Sequence, residues 1–342
     1  MTVDHPVSGS AVPYQFDNHV FPTPSTQLET LTPSAAANLA SFQAYLRSSK
    51  RILALVGAGL SASSGLPTFR GTGGLWRNHD AMELATPEAF SNDPSLVWQF
   101  YSARRAAALH AMPNKAHYAL AELSKRMPDF LTLTQNVDGL STRANHPPNQ
   151  LLHLHGSLFS LKCTSFYCDF QEDNHFTHPL TPELAIASEI SAPYTHIPLS
   201  GLPHCPKCHT GLLRPGVVWF GEALPWRAVK AADDFISAGK VDLILVIGTS
   251  GTVYPAAGYV DRIRMQGGKV ALFNIDIDDS EGEDDFPEME PERSYANRTK
   301  WTFEGDAAEW VPVALEPIIG PIEVQEGSDG ERFNLAVGRS DD

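Results

Sequence analysis

The stretch that decides the fold lies between Ile52 and Gly65 and reads ILALVGAGLSASSG. Its apolar run, Ile52–Val56, is typical of a strand buried on both faces of a parallel sheet. The glycines that follow let the backbone turn tightly and approach a pyrophosphate, whose charge the amides at the next helix start can meet. The spacing departs from Gly-x-Gly-x-x-Gly and lacks an acidic residue about 20 positions later. The stretch therefore predicts a nucleotide-binding loop, with a purely structural turn as the alternative.

The same pattern recurs along the chain, where apolar runs end in polar or glycine-rich residues. Further runs of this kind are Phe130–Thr134, Val241–Ile247 and Lys269–Phe273. Helical spacing of apolar residues occurs at Ser34–Leu46, Trp98–Leu109, Ala116–Arg126, Trp226–Ala238 and Ala256–Met265. We therefore predict an α/β fold, a Rossmann-like parallel sheet with helices on both faces. Ligands bind beyond the carboxyl ends of the strands in such sheets, where these polar residues fall.

The composition excludes several classes of protein. A chain of 342 residues with 42% hydrophobic residues can bury a sizeable core, which argues against intrinsic disorder. Lys and Arg number 25 against 40 Asp and Glu, a net charge of −15, so we expect no direct nucleic-acid binding and a basic peptide as the more natural ligand. No apolar run approaches the roughly 20 residues of a membrane span, and we expect no membrane association.

The first 46 residues contain no Lys or Arg. A secretory signal needs a basic n-region, and a transit peptide is rich in Arg. This pattern favours a cytoplasmic or nuclear location.

Changes in composition predict how the chain is divided. Pro, Ser and Thr dominate the beginning, and acidic residues crowd one late segment. We predict an N-terminal tail at 1–33, a discontinuous catalytic domain at 34–160 and 214–319 with a helical insertion at about 71–112, a small inserted module at 161–213, an acidic loop at 277–293 and a C-terminal tail at 320–342.

The chain contains four cysteines, Cys163, Cys168, Cys205 and Cys208. They form a Cys-x4-Cys pair and a Cys-x2-Cys pair on either side of a loop-like segment. Without a secretory signal, this arrangement favours one tetrathiolate zinc site over two disulfides. Four thiolates leave no open position for water, so the metal would be structural.

Several motifs in a fixed order resemble the sirtuin family. They are Gly57-Ala58-Gly59 with Ser61, Pro67 to Gly71 with Phe69-Arg70, Thr134 to Asp138, His153 to Gly156, the paired cysteines, Val218 to Glu222, Gly248 to Ser250 and Phe273-Asn274. The resemblance covers about residues 34–310. It implies removal of acyl groups from lysine side chains of proteins, with NAD as co-substrate, nicotinamide and acyl-ADP-ribose as products, and one structural zinc ion. It also allows a mitochondrial location.

The resemblance carries roles onto individual residues. His155 is the implied general base, and imidazole titrates near neutral pH; Asn136 and Asp138 are implied to act beside it on the ribose and the nicotinamide amide. The implied cofactor-binding set is Gly57, Ala58, Gly59, Ala62, Phe69, Arg70, Trp76, Gln135, Asn136, Val137, Asp138, Gly248, Thr249, Ser250, Asn274, Asp276 and Ala307. His153 is expected to be structural.

A second set concerns the acyl-lysine substrate. Tyr101 and Arg104 are three residues apart on a predicted helix and share a face, where a phenol and a guanidinium can hold a carboxylate. With the small Ala85, this pair resembles the branch of sirtuins that removes succinyl, malonyl and glutaryl groups; an ordinary surface pair is the alternative. Val218, Trp219, Phe220, Gly221 and Glu222 resemble the strand that pairs with the peptide main chain, which predicts loose peptide selectivity.

Two other functions remain open from the sequence. One is a conventional deacetylase or an ADP-ribosyltransferase on the same scaffold. The other is a module that senses NAD and binds a partner without turnover, against which the intact His155, Asn136 and Asp138 argue. For any of these we expect a monomer.

Overall fold

The computed structural model describes residues 31–68, 75–77, 79–188, 194–249, 254–275, 299–324 and 335–337. The helices are α1 (Pro33–Ser48), α2 (Gly59–Ala62), α3 (Ala81–Leu84), α4 (Pro87–Asn92), α5 (Pro94–His110), α6 (Lys115–Arg126), α7 (Leu140–Arg143), α8 (Trp226–Ser237), α9 (Gly258–Met265) and α10 (Ala307–Ile319). The strands are β1 (Ile52–Val56), β2 (Leu75–Trp76), β3 (His79–Asp80), β4 (Phe130–Thr134), β5 (Leu151–His153), β6 (Gly156–Cys163), β7 (Gln171–Glu172), β8 (Leu213–Val217), β9 (Leu243–Ile247), β10 (Lys269–Asn274), β11 (Trp301–Glu304), β12 (Ile322–Val324) and β13 (Leu335–Val337).

A parallel sheet of six strands forms the centre of the fold. Its strand order is β11-β10-β9-β1-β4-β5, and every neighbouring pair is parallel. Each residue of β1, β4 and β9 is buried, as expected for strands covered on both faces. The segments β1 and β9 are apolar throughout, whereas β4 includes Thr132 and Thr134. From β1 the strand order proceeds to β4 and β5 on one side and to β9, β10 and β11 on the other. The crevice for a ligand in such a sheet lies beyond the carboxyl ends of the two strands at this reversal, β1 and β9.

Helices cover both faces of this sheet, as predicted. On one face, Ile236 of α8 and Ile263 of α9 join the same core as Leu53 and Leu55 of β1. On the other, α1, α6 and α10 pack together, and Phe42 of α1 meets aromatic rings of β10 and β11 edge-on. The strands predicted for the parallel sheet and the predicted helices are all present, with ends that differ by a few residues.

A second core lies outside the parallel sheet. Here α3, α4 and α5 pack against β6 and β8 of an antiparallel sheet ordered β7-β6-β8. Trp98 of α5 is fully buried and donates its indole N–H to the carbonyl of Leu213 in β8 (2.9 Å). Arg105 of α5 is also fully buried and donates to the carbonyls of His175 (2.7 Å) and Thr177 (2.9 Å). The predicted helical insertion and the cysteine module therefore share one interior.

Three predictions about organisation need correction. The antiparallel sheet begins at Gly156 and ends at Val217, so it extends beyond the predicted module at 161–213 on both sides. The predicted loop between Cys168 and Cys205 contains β7 and two short 3-10 turns. In the predicted C-terminal tail, β12 and β13 pair antiparallel. These pairings depend on distant partners and leave no local pattern.

The acidic loop at 277–293 and all but the last residues of the N-terminal tail lie outside the described residues. Among the helices that the structure describes, none combines the length and the apolar character that crossing a membrane requires.

Candidate functional site

Two glycine loops interlock at the carboxyl ends of β1 and β9. Gly59 donates its amide to the carbonyl of Gly248 (2.9 Å), and Gly57 donates to Ile247 (2.9 Å). A Cβ on Gly59 would lie 2.6 Å from the Cα of Gly248, and one on Gly248, where φ is +59°, would lie 2.4 Å from the amide nitrogen of Leu60. Only glycine allows this approach. The predicted nucleotide-binding loop at Gly57 to Gly59 and the predicted cofactor-binding residue Gly248 are thus parts of one structure.

Polar side chains meet beneath the first glycine loop. The Ser61 hydroxyl donates to Oδ2 of Asp138 (2.8 Å), and Asn136 donates from Nδ2 to the carbonyl of Gly57 (2.9 Å) and to Ser61 Oγ (3.2 Å). The amide of Leu140 donates to the other carboxylate oxygen of Asp138 (2.8 Å). Burial raises the pKa of Asp138 despite these hydrogen bonds. The predicted pair Asn136 and Asp138 is therefore held rigidly at the loop.

A histidine that sequence reasoning missed supports this cluster. His117 of α6 is buried, and its Nε2 lies 3.4 Å from Ser61 Oγ. Its Nδ1 lies 3.2 Å from the amide nitrogen of Asn114, the N-cap of α6, and 3.0 Å from Oδ1 of the same residue. Burial lowers the pKa of His117 to about 3, so it is neutral. The sequence signal that could have found it is His117 three residues after Asn114, the spacing of a helix cap.

His155 lies in the turn that joins β5 to β6, just before Gly156 begins β6. Its Nδ1 is 3.1 Å from the carbonyl of Gln135. Because a carbonyl only accepts, Nδ1 is the protonated nitrogen and Nε2 carries the lone pair. Burial lowers the pKa of His155, so the imidazole is a neutral base at physiological pH. His153 is half-buried, with a buried Nδ1 that has no hydrogen-bond partner among the described residues; we assign it no chemical role.

The other predicted cofactor residues lie at the same sheet edge or behind it. Gln135 donates from its side chain to Thr249 Oγ1 (3.2 Å), which joins the loops after β4 and β9. Asn274 ends β10, and Ala307 begins α10, whose N-cap Asp306 accepts from Ser63. Ala58 and Ala62 belong to the first glycine loop and α2, and Val137 lies between Asn136 and Asp138. Trp76 differs, because it is buried against Phe100 in the second core. Phe69, Arg70, Ser250 and Asp276 lie outside the described residues.

Tyr101, one member of the predicted acyl-binding pair, is hydrogen-bonded to a tryptophan. Trp219 donates its indole N–H to the phenol oxygen of Tyr101 (3.0 Å), and both side chains are buried. Burial raises the pKa of Tyr101, so the phenol keeps its proton. Arg104 is half-buried on the next turn of α5, with its guanidinium 5.3 Å from the centre of the Phe100 ring. Burial lowers the pKa of Arg104, and the neighbouring Tyr101 and Asp138 oppose this effect.

The segment after β8 departs from the predicted peptide-pairing strand. Val218 donates its amide to the carbonyl of His155 (2.8 Å), Phe220 to Ala85 (2.9 Å), and Trp219 to the carboxylate of Glu222 (2.8 Å). The Glu222 amide donates back to the carbonyl of Trp219 (3.0 Å), and Gly221 between them has φ +86°, as a type II turn requires. A peptide could therefore pair here only through carbonyl oxygens and the Gly221 amide. Trp219 is 3% exposed and supports Tyr101 from below.

Glu222 belongs to an ion pair that fixes this turn. Its carboxylate accepts two hydrogen bonds from Arg214 (2.6 and 2.9 Å). Burial raises the pKa of Glu222, but the hydrogen bonds from Arg214 and the Trp219 amide lower it by more. The pKa of Glu222 is therefore lowered overall. The Arg214 guanidinium also lies 3.4 Å above the centre of the Trp219 ring. Arg214 was missed as a site residue because its role appears only when β8 folds back over α5.

The cysteine sulfurs converge on one point. Their Sγ atoms all lie within 4.8 Å of one another, with Cys163 and Cys208 3.6 Å apart and Cys168 and Cys205 3.7 Å apart. A tetrahedral zinc ion with Zn–S bonds of about 2.3 Å separates its sulfurs by about 3.8 Å, so the four thiols fit one zinc ion. Backbone amides of Ser165, Lys207 and Gly211 donate to three of the sulfurs. Amides of Gly211 and Thr210 lower the pKa of Cys208 to about 5.

Comparison with known proteins agrees with this site. The Sir2 family model matches residues 57–255. An NAD-dependent protein deacylase of Candida albicans is 50% identical over 83% of this chain and 99% of its own length. The mitochondrial NAD-dependent protein deacylase sirtuin-5 of Canis lupus familiaris is 39% identical over 82% of this chain and 86% of its own. A crystal structure of a Sir2 homologue with NAD superposes with a TM-score of 0.65 at 36% identity, covering 82% of this chain and 93% of that one. The chain therefore belongs to the Sir2 family of NAD-dependent protein deacylases.

Proposed function

We propose that this enzyme removes acidic acyl groups, namely succinyl, malonyl and glutaryl, from lysine side chains of proteins in an NAD-dependent reaction. The observation that carries the acyl preference is the hydrogen bond from Trp219 to Tyr101. An indole N–H can only donate, so it occupies an acceptor site on the phenol oxygen. The Tyr101 hydroxyl hydrogen must then point away from Trp219 and is available to a second acceptor.

Arg104 completes the case for a carboxylate. It follows Tyr101 by three residues on α5, so the two side chains share a helix face. A half-buried guanidinium keeps its charge and can hold a carboxylate through two hydrogen bonds. A neutral acetyl group would leave this desolvated cation without that added compensation. An acidic acyl group is therefore the better occupant.

The same arrangement supports the chemistry. The interlocked glycine loops, Asn136 and Asp138 would bind the NAD ribose and amide, and NAD, when bound, supplies the ribose that receives the acyl group as nicotinamide leaves. His155 is the base: its Nε2 would take the proton of a ribose hydroxyl, while the Gln135 carbonyl stabilises the proton that Nδ1 already carries. The zinc ion, when bound to the four thiolates, would hold the second core in shape.

The test is one lysine peptide prepared in acetyl, succinyl, malonyl and glutaryl forms. Mass spectrometry would follow the free-lysine peptide and acyl-ADP-ribose, with and without NAD. We expect NAD-dependent turnover of the acidic forms well above the acetyl form. Faster turnover of acetyl would contradict the acyl preference, and label transfer from NAD to protein without deacylation would instead favour an ADP-ribosyltransferase.

A further inference from the structure

A cationic cavity adjoins the turn that carries Val218 and Glu222. It has a volume of about 420 Å³, within the range of about 300–1,000 Å³ usual for small-ligand sites. Its lining consists of Lys162, Arg214, Val217, Val218, Glu222, Ala223 and Pro225. Lys162 of β6 and Arg214 of β8 stand directly opposite each other in the antiparallel register. The pairing of these strands thus places two cations on one wall of the cavity.

The two cations differ in how their charges are balanced. Arg214 is neutralised by Glu222, which accepts two of its hydrogen bonds and a third from the Trp219 amide. Lys162 is close enough to help lower the pKa of Glu222, but within the described ranges it forms no ion pair of its own. Because Glu222 already accepts three hydrogen bonds, little of its capacity remains for Lys162. The charged residues that line the cavity therefore leave one positive charge unbalanced, that of Lys162.

The position of the cavity decides what can reach that charge. Val218, which lines it, donates its amide to the carbonyl of His155. The cavity is thus joined through one backbone hydrogen bond to the residue proposed as the base, and Val218 and Glu222 in its lining belong to the segment predicted to bind the substrate peptide. A side chain that flanks the acyl-lysine could enter it while the acyl group points toward Tyr101 and Arg104.

We infer that this cavity is a subsite for an acidic side chain of the substrate protein, an Asp or Glu that flanks the acyl-lysine and is held by Lys162. The inference rests on the proposed deacylase function and deepens it. It also revises the expectation of loose peptide selectivity and of basic peptides as the natural ligands. The net charge of −15 describes the whole surface, whereas this cavity is locally positive.

The test compares succinyl-lysine peptides that carry Glu, or the uncharged Gln of the same shape, at each flanking position in turn. Binding to the zinc-loaded protein is measured by fluorescence anisotropy, and turnover is measured separately. We expect one position at which Glu binds about fivefold more tightly than Gln, as for a partly exposed charge pair. The preference should shrink at high salt, because ions screen it.

Variants identify the cation responsible. Lys162→Met should abolish the preference for Glu, and Lys162→Glu should convert it into a preference for Lys at the same position. Lys230→Met on α8, where Lys230 pairs with Asp234 on the surface, removes the same charge elsewhere and should leave the preference intact. Zinc content shows that the Lys162 variants are folded; if they are not, the comparison of Glu and Gln peptides with the unaltered protein decides.

Equal binding of Glu and Gln peptides at every position would overturn the inference, as would an equal loss of preference in the Lys162→Met and Lys230→Met proteins. Neither result would affect the proposed function. Absence of turnover with every acyl peptide would refute the proposed function, while the binding preference would still be measured.

Discussion

The parallel-sheet core and the second core hold their functional residues in different ways. At the sheet edge, position is set by the main chain: Gly59 and Gly248 are in backbone contact, and Asn136 is hydrogen-bonded to the carbonyl of Gly57. In the second core, position is set by side chains, since Trp219 holds Tyr101 and Arg214 stacks on Trp219. We propose that the sheet provides chemistry common to all acyl groups, whereas the second core selects among them.

The largest expected effect is a test of the common chemistry. His155→Ala removes the proposed base and should lower kcat by about 10²–10⁴-fold, equally for acetyl and succinyl peptides. NAD binding, measured by calorimetry, serves as the control and should persist because the glycine loops are unchanged. Retention of kcat on either acyl group would remove His155 from its role.

Removal of zinc should break the second core first. The thiolates lie in the same interior as Trp98 and Trp219, so a chelator should change tryptophan fluorescence and stop turnover of every acyl peptide. Zinc binding contributes folding free energy to small modules of this kind, and added zinc should restore both signals. A protein that loses all its zinc, by elemental analysis, with unchanged fluorescence and activity would contradict a structural role.

Acid pH should weaken the parallel-sheet core through two buried histidines, His117 of α6 and His146, which lies 3.0 Å from the hydroxyl of Thr132 in β4. His117, whose folded pKa is about 3, and His146, at about 4, stay neutral in the folded protein, whereas the unfolded chain binds their protons near pH 6.5. Their contribution to stability is complete above pH 6.5 and is lost as the pH falls toward these folded values. Below pH 6.5, each of these histidines lowers the free energy of unfolding by about 1.4 kcal/mol per pH unit.

Thermal or denaturant unfolding between pH 7 and pH 5 measures this loss. In a His117→Gln variant the free energy of unfolding should depend less steeply on pH, because glutamine does not titrate. The slope should fall by about the contribution of one proton. An unchanged dependence in that variant would show that His117 is protonated, or free to become so, in the folded protein.

The parallel-sheet core was largely predictable because the sequence patterns that specify it are local. The strands β1 and β9 are apolar throughout, and glycines mark the turn that follows β1. By contrast, α10 contains Pro312 and Pro317, which normally argue against a helix interior, and β5 has only three residues. Packing against neighbours stabilises both elements, and no sequence period reports it.

The second core was less predictable because its contacts join distant residues. The spacing of Tyr101 and Arg104 on α5 could be read directly, but Trp219 is 118 residues from Tyr101. The pairing of Lys162 with Arg214 depends on the register between β6 and β8. The contact between Trp219 and Tyr101 and the position of Lys162 opposite Arg214 therefore needed the structure.

A smaller expected effect sharpens the comparison within the second core. Trp219→Phe keeps an aromatic ring under Tyr101 but removes the indole N–H, so the phenol hydrogen is no longer directed. We expect kcat/KM on the succinyl peptide to fall about tenfold, the scale of one hydrogen bond to a charged group, mainly through KM. Deacetylation should change little. A fall in kcat for both acyl groups would indicate that Trp219 is simply part of the fold.

The central claim is that acyl selectivity resides in the second core and not at the sheet edge. Its most direct test is the ratio of kcat/KM for succinyl over acetyl peptide, measured for the unaltered enzyme, Arg104→Met and Ser61→Ala. We predict that Arg104→Met collapses the ratio by about 100-fold or more, since the half-buried guanidinium that would pair with the acyl carboxylate is lost, while Ser61→Ala lowers both values and preserves the ratio. Equal losses on both peptides in Arg104→Met would contradict the account.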